Sequence, residues 1–185
     1  MRNNNVYIEN TRFIFDTNFA GDPNRDKYGS DARKANLVIP DISIARQLID
    51  EGYNVKMTKP RDDDDEEFVP TYYISIKLSY RDRNGELKRW PPKVIFIEDD
   101  FVTELTEETV DRIDYAWVER VNVVLNKYES DRGKSLYVKT MEVFQRSDDD
   151  PILARYRNRE REVHDDSDDI NFNPENEEYE PLPFN

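Results

Sequence analysis

The chain has 185 residues, enough for one ordinary domain, with 27 Lys and Arg against 41 Asp and Glu, a formal charge of −14. Cysteine is absent, which excludes disulfides, thiolate catalysis and cysteine-ligated zinc. No apolar stretch approaches the roughly 20 residues of a membrane span, and no apolar run follows Met1–Asn5 to act as a secretory signal, so a soluble intracellular protein is expected.

Taken in chain order, Val6–Phe15 reads as a strand, and Asn18–Lys34, with Gly21, Pro23 and Gly29, as a loop. Ala35–Ile39 is a short apolar strand. Pro40-Asp41 opens a helix with Ile42, Ala45, Leu48 and Ile49 on one face and Gly52 as its stop. Tyr53–Met57 returns as a strand, and the six acids Asp62–Glu67 repel one another into a solvated loop.

The clearest pattern is Tyr72–Arg81. Tyr72, Ile74, Ile76, Leu78 and Tyr80 alternate with Tyr73, Ser75, Lys77, Ser79 and Arg81, giving one apolar and one polar face. Asn84-Gly85 signals a hairpin turn, and Val94–Ile97 is another strand. A short helix is expected next, N-capped by Thr106, with Leu105 stapled against Val110. Val121–Tyr128 and Ser135–Phe144 are strands joined by a turn over Glu129–Lys134.

Past residue 146 the composition changes. Residues 1–146 hold 23 Lys and Arg against 28 Asp and Glu, a balance of −5; residues 147–185 hold 4 against 13, a balance of −9. Residues 1–146 therefore read as the folded domain, 147–163 as a short helix or linker, and 164–185 as a disordered acidic tail unable to offset the entropy of ordering. Several short strands with two short α-helices point to a mainly β fold, an OB-like β-barrel, with an open α+β sheet as the alternative.

Catalytic signals are weak. The single histidine, His164, opens the tail as a solvated spacer, so a histidine-based triad has no member in the domain. Gly133-Lys134-Ser135 imitates the end of a phosphate-binding loop, but the motif needs a glycine where Tyr128 stands and a helix where a hairpin is expected. Asp62–Glu67 and Asp99-Asp100 lack the spaced ligands and turn glycine of a calcium loop. No metal, cofactor or enzymatic activity is expected.

Nucleic-acid signals are stronger. Tyr73, Lys77 and Arg81 lie in line on the polar face of one strand; the next hairpin adds Arg83, Lys88, Arg89 and Trp90, and the last adds Tyr128, Arg132, Lys134, Tyr137 and Lys139. Single strands are held by cations on phosphates and flat rings under bases, and these segments interleave both. Tyr73, Trp90, Tyr128 and Tyr137 are the stacking candidates; Lys77, Arg81, Arg83, Lys88, Arg89, Arg132, Lys134 and Lys139 are the phosphate candidates. The loop Phe19–Lys34, with Tyr28, Arg25, Lys27 and Arg33, is a further candidate flank of the groove.

Four short segments resemble phage-encoded single-stranded DNA-binding proteins. Thr17-Asn18-Phe19-Ala20-Gly21 is similar to that family's Arg-Asn-Phe-Ser/Ala-Gly opening, and Glu51-Gly52-Tyr53-Asn54-Val55-Lys56 to its helix end running into Gly-Trp/Tyr-Asn-Val-Lys. Pro91-Pro92-Lys93-Val94 with Leu105–Val110, and Leu136–Val143, match in the same order. The resemblance implies an OB-like fold and sequence-tolerant binding of single strands. Asp16-Thr17 departs from it where a basic residue precedes the Asn-Phe pair, which counts against a phosphate contact there.

Single-strand binders of bacteria and phages often end in an acidic segment tipped with Pro-Phe. The end of this chain, with Tyr179, Pro181, Leu182, Pro183 and Phe184, resembles such a tip, although Asn185 extends one residue beyond the Phe. The expected function is a non-enzymatic coat for single-stranded DNA in phage replication or recombination, in the cytoplasm of the bacterial host. Its tail would recruit replication or repair proteins, and a homodimer is a further expectation. The competing expectation is an acidic DNA mimic that occupies a host enzyme's basic groove, supported by the net charge and the runs Asp62–Glu67 and Asp148–Asp150, although most acids fall in expected loops, which favours the binder.

Overall fold

Alternation along residues 72–81 does produce a strand with one buried and one outward face, although the strand itself ends at Leu78. The computed structural model describes residues 4–59 and 68–146. Its strands are β1 (Asn5–Thr11), β2 (Phe13–Asn18), β3 (Arg33–Val38), β4 (Val55–Met57), β5 (Tyr72–Leu78), β6 (Lys93–Glu98), β7 (Phe101–Leu105), β8 (Val118–Ser130) and β9 (Gly133–Gln145). One α-helix, α1 (Ile42–Asp50), and two 3₁₀ helices, Pro23–Arg25 and Val110–Tyr115, complete it. The tail candidates Tyr179, Pro181, Leu182, Pro183 and Phe184, the expected linker and the run Asp62–Glu67 lie outside the described residues.

The strands form one sheet in the order β1-β8-β9-β5-β3-β2, with β4 added on β5 and β6–β7 on β9. The long β9 pairs antiparallel with β8 and offers its other edge first to β5 and then to β6, both parallel. The path is not closed by a ladder between β1 and β2, yet those two strands are one run of chain interrupted at Arg12. Val38 N donates to Arg12 O at 3.0 Å, and buried Thr11 Oγ1 donates to Val38 O at 2.5 Å, pinning that interruption to β3. The result is the expected mainly β, OB-like architecture, filled by Ile8, Leu37, Ile76, Phe96, Leu125, Leu136, Met141 and Val143.

Several elements differ from expectation. The single strand Val6–Phe15 is two strands, because a bulge between Ile8 and Thr11, with Asn10 at φ 50, hands the chain from β8 to β3. Strand β7 went unrecognised: only Leu105 of its five residues is buried, so it carries no apolar alternation.

The helix expected from Thr106 is a 3₁₀ helix beginning at Val110. Thr109 N and Val110 N both donate to Thr106 O, forming a turn rather than a cap. Buried Val110 and Ile113 are three apart, the spacing a 3₁₀ helix stacks on one side.

Helix α1 is capped as expected, Asp41 accepting from Ser43 N at 2.8 Å. Its buried arc centres on Ile44, Ala45 and Leu48, which leaves Ile42 and Ile49 exposed at the margins. At its end Gly52 takes φ 83; Gly52 N donates to Ile49 O and Tyr53 N to Leu48 O, both at 2.9 Å. This is a Schellman motif, with Tyr53 and Leu48 as its buried apolar pair.

Candidate nucleic-acid interface

The Asp82–Gly85 turn forms as Asn84-Gly85 requires. Asp82 N donates to Glu86 O, Asp82 Oδ1 accepts from Asn84 N and Glu86 N, and Gly85 takes φ 81. The β8–β9 hairpin turns on Asp131 and Arg132 alone, between paired Ser130 and Gly133, so its strands run further than expected. Parallel pairing of β5 with β9 sets Lys77 directly beside Tyr137 and brings the two hairpins together.

Between them lies a groove with a volume of about 660 Å³, lined by Lys77, Arg83, Tyr128, Arg132, Lys134 and Tyr137 together with residues of the β8–β9 tip. Tyr128 and Tyr137 meet edge to face, centroids 5.6 Å apart at 85°. Lys77 Nζ sits 5.8 Å from the Tyr137 centroid and donates to Ser135 Oγ at 3.2 Å; Lys88 Nζ sits 5.5 Å from the same centroid. Arg83 crosses from the other hairpin to donate from Nη2 to Tyr128 OH. Partial burial pushes the Lys88 ammonium below the ordinary lysine range, against the opposing pull of Asp82. These side chains offer ring surface and cations within one concavity, which is what bases and phosphates require.

The remaining candidates lie elsewhere or are already engaged. Arg81 points away from the groove: its Nε lies 2.9 and 3.1 Å from the two Glu107 carboxylate oxygens, and Nη1 donates to Gly85 O. Lys134 Nζ donates to Glu51 O at 2.7 Å, a cation on the last carbonyls of α1, and also pairs with Glu129 at 3.3 Å. The Arg89 guanidinium lies 5.7 Å from the ring centroid of Trp90, a residue 81% exposed. Lys139 is the extra residue where the register shifts between Val124 and Leu125, exposed on the outer surface of β9. Tyr73 lies at the far end of β5, against Phe15.

In the loop Phe19–Lys34, considered above as a flank of the groove, three of the four cations are held by acids of the same chain, while Lys27 lies 5.8 Å from the centroid of the exposed Tyr28 ring. Phe19 is fully buried beneath Phe13. Arg25 pairs with Asp114 at 3.1 Å, Arg33 with Glu107 at 3.6 Å, and Lys34 with Asp26, whose carboxyl is held below its ordinary range chiefly by that lysine.

The motif Thr17–Gly21 is an architectural clamp. The Asp114 carboxylate is fully buried and accepts from Thr17 Oγ1 at 2.6 Å, Phe19 N at 2.9 Å and Ala20 N at 2.8 Å. Gly21 takes φ 69 where a Cβ would stand 2.7 Å from Asp31 O. Pairing across the sheet therefore fixes the groove, and a bulge that residue types do not announce exposes Phe15.

Comparison with known proteins comes to bear on this geometry. Solved structures similar at low identity include phage single-stranded DNA-binding proteins. The single-stranded DNA-binding protein from bacteriophage Enc34 in complex with ssDNA is 19% identical, covering 81% of this chain and 90% of that one, with a TM-score of 0.43. A C-terminal truncation of the Enc34 protein is 17% identical over 81% and 88%, with a TM-score of 0.40. The bacteriophage T7 single-stranded DNA-binding protein gp2.5 is 13% identical over 80% and 96%, also at 0.40. No curated protein sequence matches. The family model described as "Putative phage ssDNA-binding domain" matches residues 1–181, nearly the whole chain, and the protein belongs to that family.

Proposed function

We propose that this protein binds single-stranded DNA with little sequence preference, coating and protecting it during phage replication or recombination. The observation that carries the reading is the groove between the two hairpins, where Tyr128 and Tyr137 stand among Lys77, Lys88 and Arg83. Rings stack on any base and cations meet any phosphate, so the arrangement suits a strand of arbitrary sequence. Family membership supports the same reading.

The acidic C-terminal sequence belongs to the same proposal. Its nine excess negative charges and the Pro181-Leu182-Pro183-Phe184 tip suit a basic, apolar-floored pocket on a replication or repair protein, and they compete with DNA for the groove. Fluorescence-anisotropy titration with single- and double-stranded oligonucleotides, on the full chain and on a chain ending at Arg146, tests both parts. The single strand is expected to bind more tightly than the duplex, and the shorter chain to bind it more tightly still. Affinity for oligo-dT no better than millimolar at low salt would overturn the reading.

A further inference from the structure

Strict alternation along β2 would send Phe15 the way of Phe13, which faces the core and meets Phe19 edge to face at 5.5 Å. Phe15 instead has φ 64, lies inside the register shift between Ile14 and Asn18, and is 62% exposed. A bulky residue at positive φ is a conformational outlier, and such strain gathers at functional sites. Bulges re-aim side chains. Here the ring reaches the outer surface and meets Tyr73 edge to face, centroids 5.3 Å apart at 76°.

Tyr73 shares the outer face of β5 with Lys77, four residues on and thus ~13 Å away at ~3.3 Å per residue. Exposed Ser75 stands between them and leaves a low floor from one to the other. Lys56 of β4, exposed, is the register partner of Tyr73. A second aromatic pair with its own cation therefore continues, along one strand, from the groove at Tyr137.

We infer that Phe15 and Tyr73 form a second base-stacking subsite. A single strand leaving Tyr137 passes over Lys77 and Ser75 and stacks a further base on Phe15, with Lys56 meeting its phosphate. The inference rests on the proposed binding of single-stranded DNA and adds the path and a residue to it. An unpaired nucleobase is the favoured occupant because the patch presents an exposed ring, is flanked by a cation and continues from the groove.

The test is an anisotropy series on the full-length chain with oligo-dT from about 4 to about 16 nucleotides, the range of site sizes for such folds. Phe15→Ala, Phe15→Tyr and Tyr137→Ala are compared with the unaltered protein. Phe15→Ala removes an exposed ring without changing the demand for positive φ, so its melting temperature is expected to stay within a few degrees of the parent. Equal affinities of Phe15→Ala and parent on the shortest strands, diverging about 5- to 150-fold on longer ones, with recovery in Phe15→Tyr, is the expected result.

Tyr137→Ala should weaken binding at every length. If Tyr137→Ala weakens binding while Phe15→Ala matches the parent throughout, the second subsite is overturned and the groove stands. If the parent fails to bind any length at low salt, the functional reading fails as well. A change in sedimentation on Phe15→Ala without a change in DNA affinity would mark the patch as a protein contact and overturn its assignment to DNA.

Discussion

The salt dependence of DNA binding separates the groove seen in the structure from the eight cations that composition alone nominates. Each phosphate neutralised on a single strand contributes about −0.7 to the slope of log K against log salt. Four candidate cations, Lys77, Arg83, Lys88 and Arg132, line the groove or reach into it without an acidic ion-pair partner among the described residues. Arg81 is held by Glu107, Lys134 by Glu51 O and Glu129, Arg89 lies beside the Trp90 ring, and Lys139 stands off on the β9 bulge. Four contacts in the groove give a slope near −2.8, and Lys56 on a longer strand takes it to about −3.5, so affinity should fall about 50- to 130-fold between 50 and 200 mM salt. Eight contacts would give a slope near −5.6 and a fall of about 2,000-fold. Oligo-dT titrations at five or six salt concentrations read the slope directly, and Lys77→Ala should reduce it by about 0.7 while Arg81→Ala leaves it unchanged. A slope near −5.6, or a shallower slope in Arg81→Ala, would refute the division between engaged and available cations.

Two further outcomes concern stability. Asp114→Ala removes the acceptor for two backbone N–H groups, the Thr17 hydroxyl and Arg25, and loss of one member of such a buried ionic site costs about 3–5 kcal/mol. That is ~10 °C or more in Tm for a domain of this size, read by thermal circular dichroism, and an unchanged Tm would contradict the clamp. Burial raises the Tyr80 phenol to about 12, so the folded state keeps a proton that the unfolded state loses above pH 10. Stability is therefore complete below about pH 10 and declines as pH rises toward 12; urea midpoints across that window should fall less in Tyr80→Phe.

What could be read from the residues follows how local the governing physics is. Alternation in β5, the turn at Asn84-Gly85, the Asp41 cap and the Gly52 stop each depend on neighbours within a few positions, and each forms. The meeting of the two hairpins was anticipated from shared composition, but the pairing of Lys77 with Tyr137 spans 60 residues and needed the sheet. Arg81 shows the opposite failure: nothing near it in sequence reveals Glu107, 26 residues on. Phe15 was absorbed into a regular strand because a bulge leaves no signature in residue type, and β7 was missed because an edge strand with one buried residue resembles loop.

The divided edge of β9 bears on how the protein is made. Its first half holds β5 and its second half holds β6, while its opposite side holds β8 along almost its full length. During synthesis these partners emerge first and remain with unsatisfied backbone groups until about residue 145 has cleared the ribosome. Folding is thus gated by the final strand, through pairings of high sequence separation that form slowly.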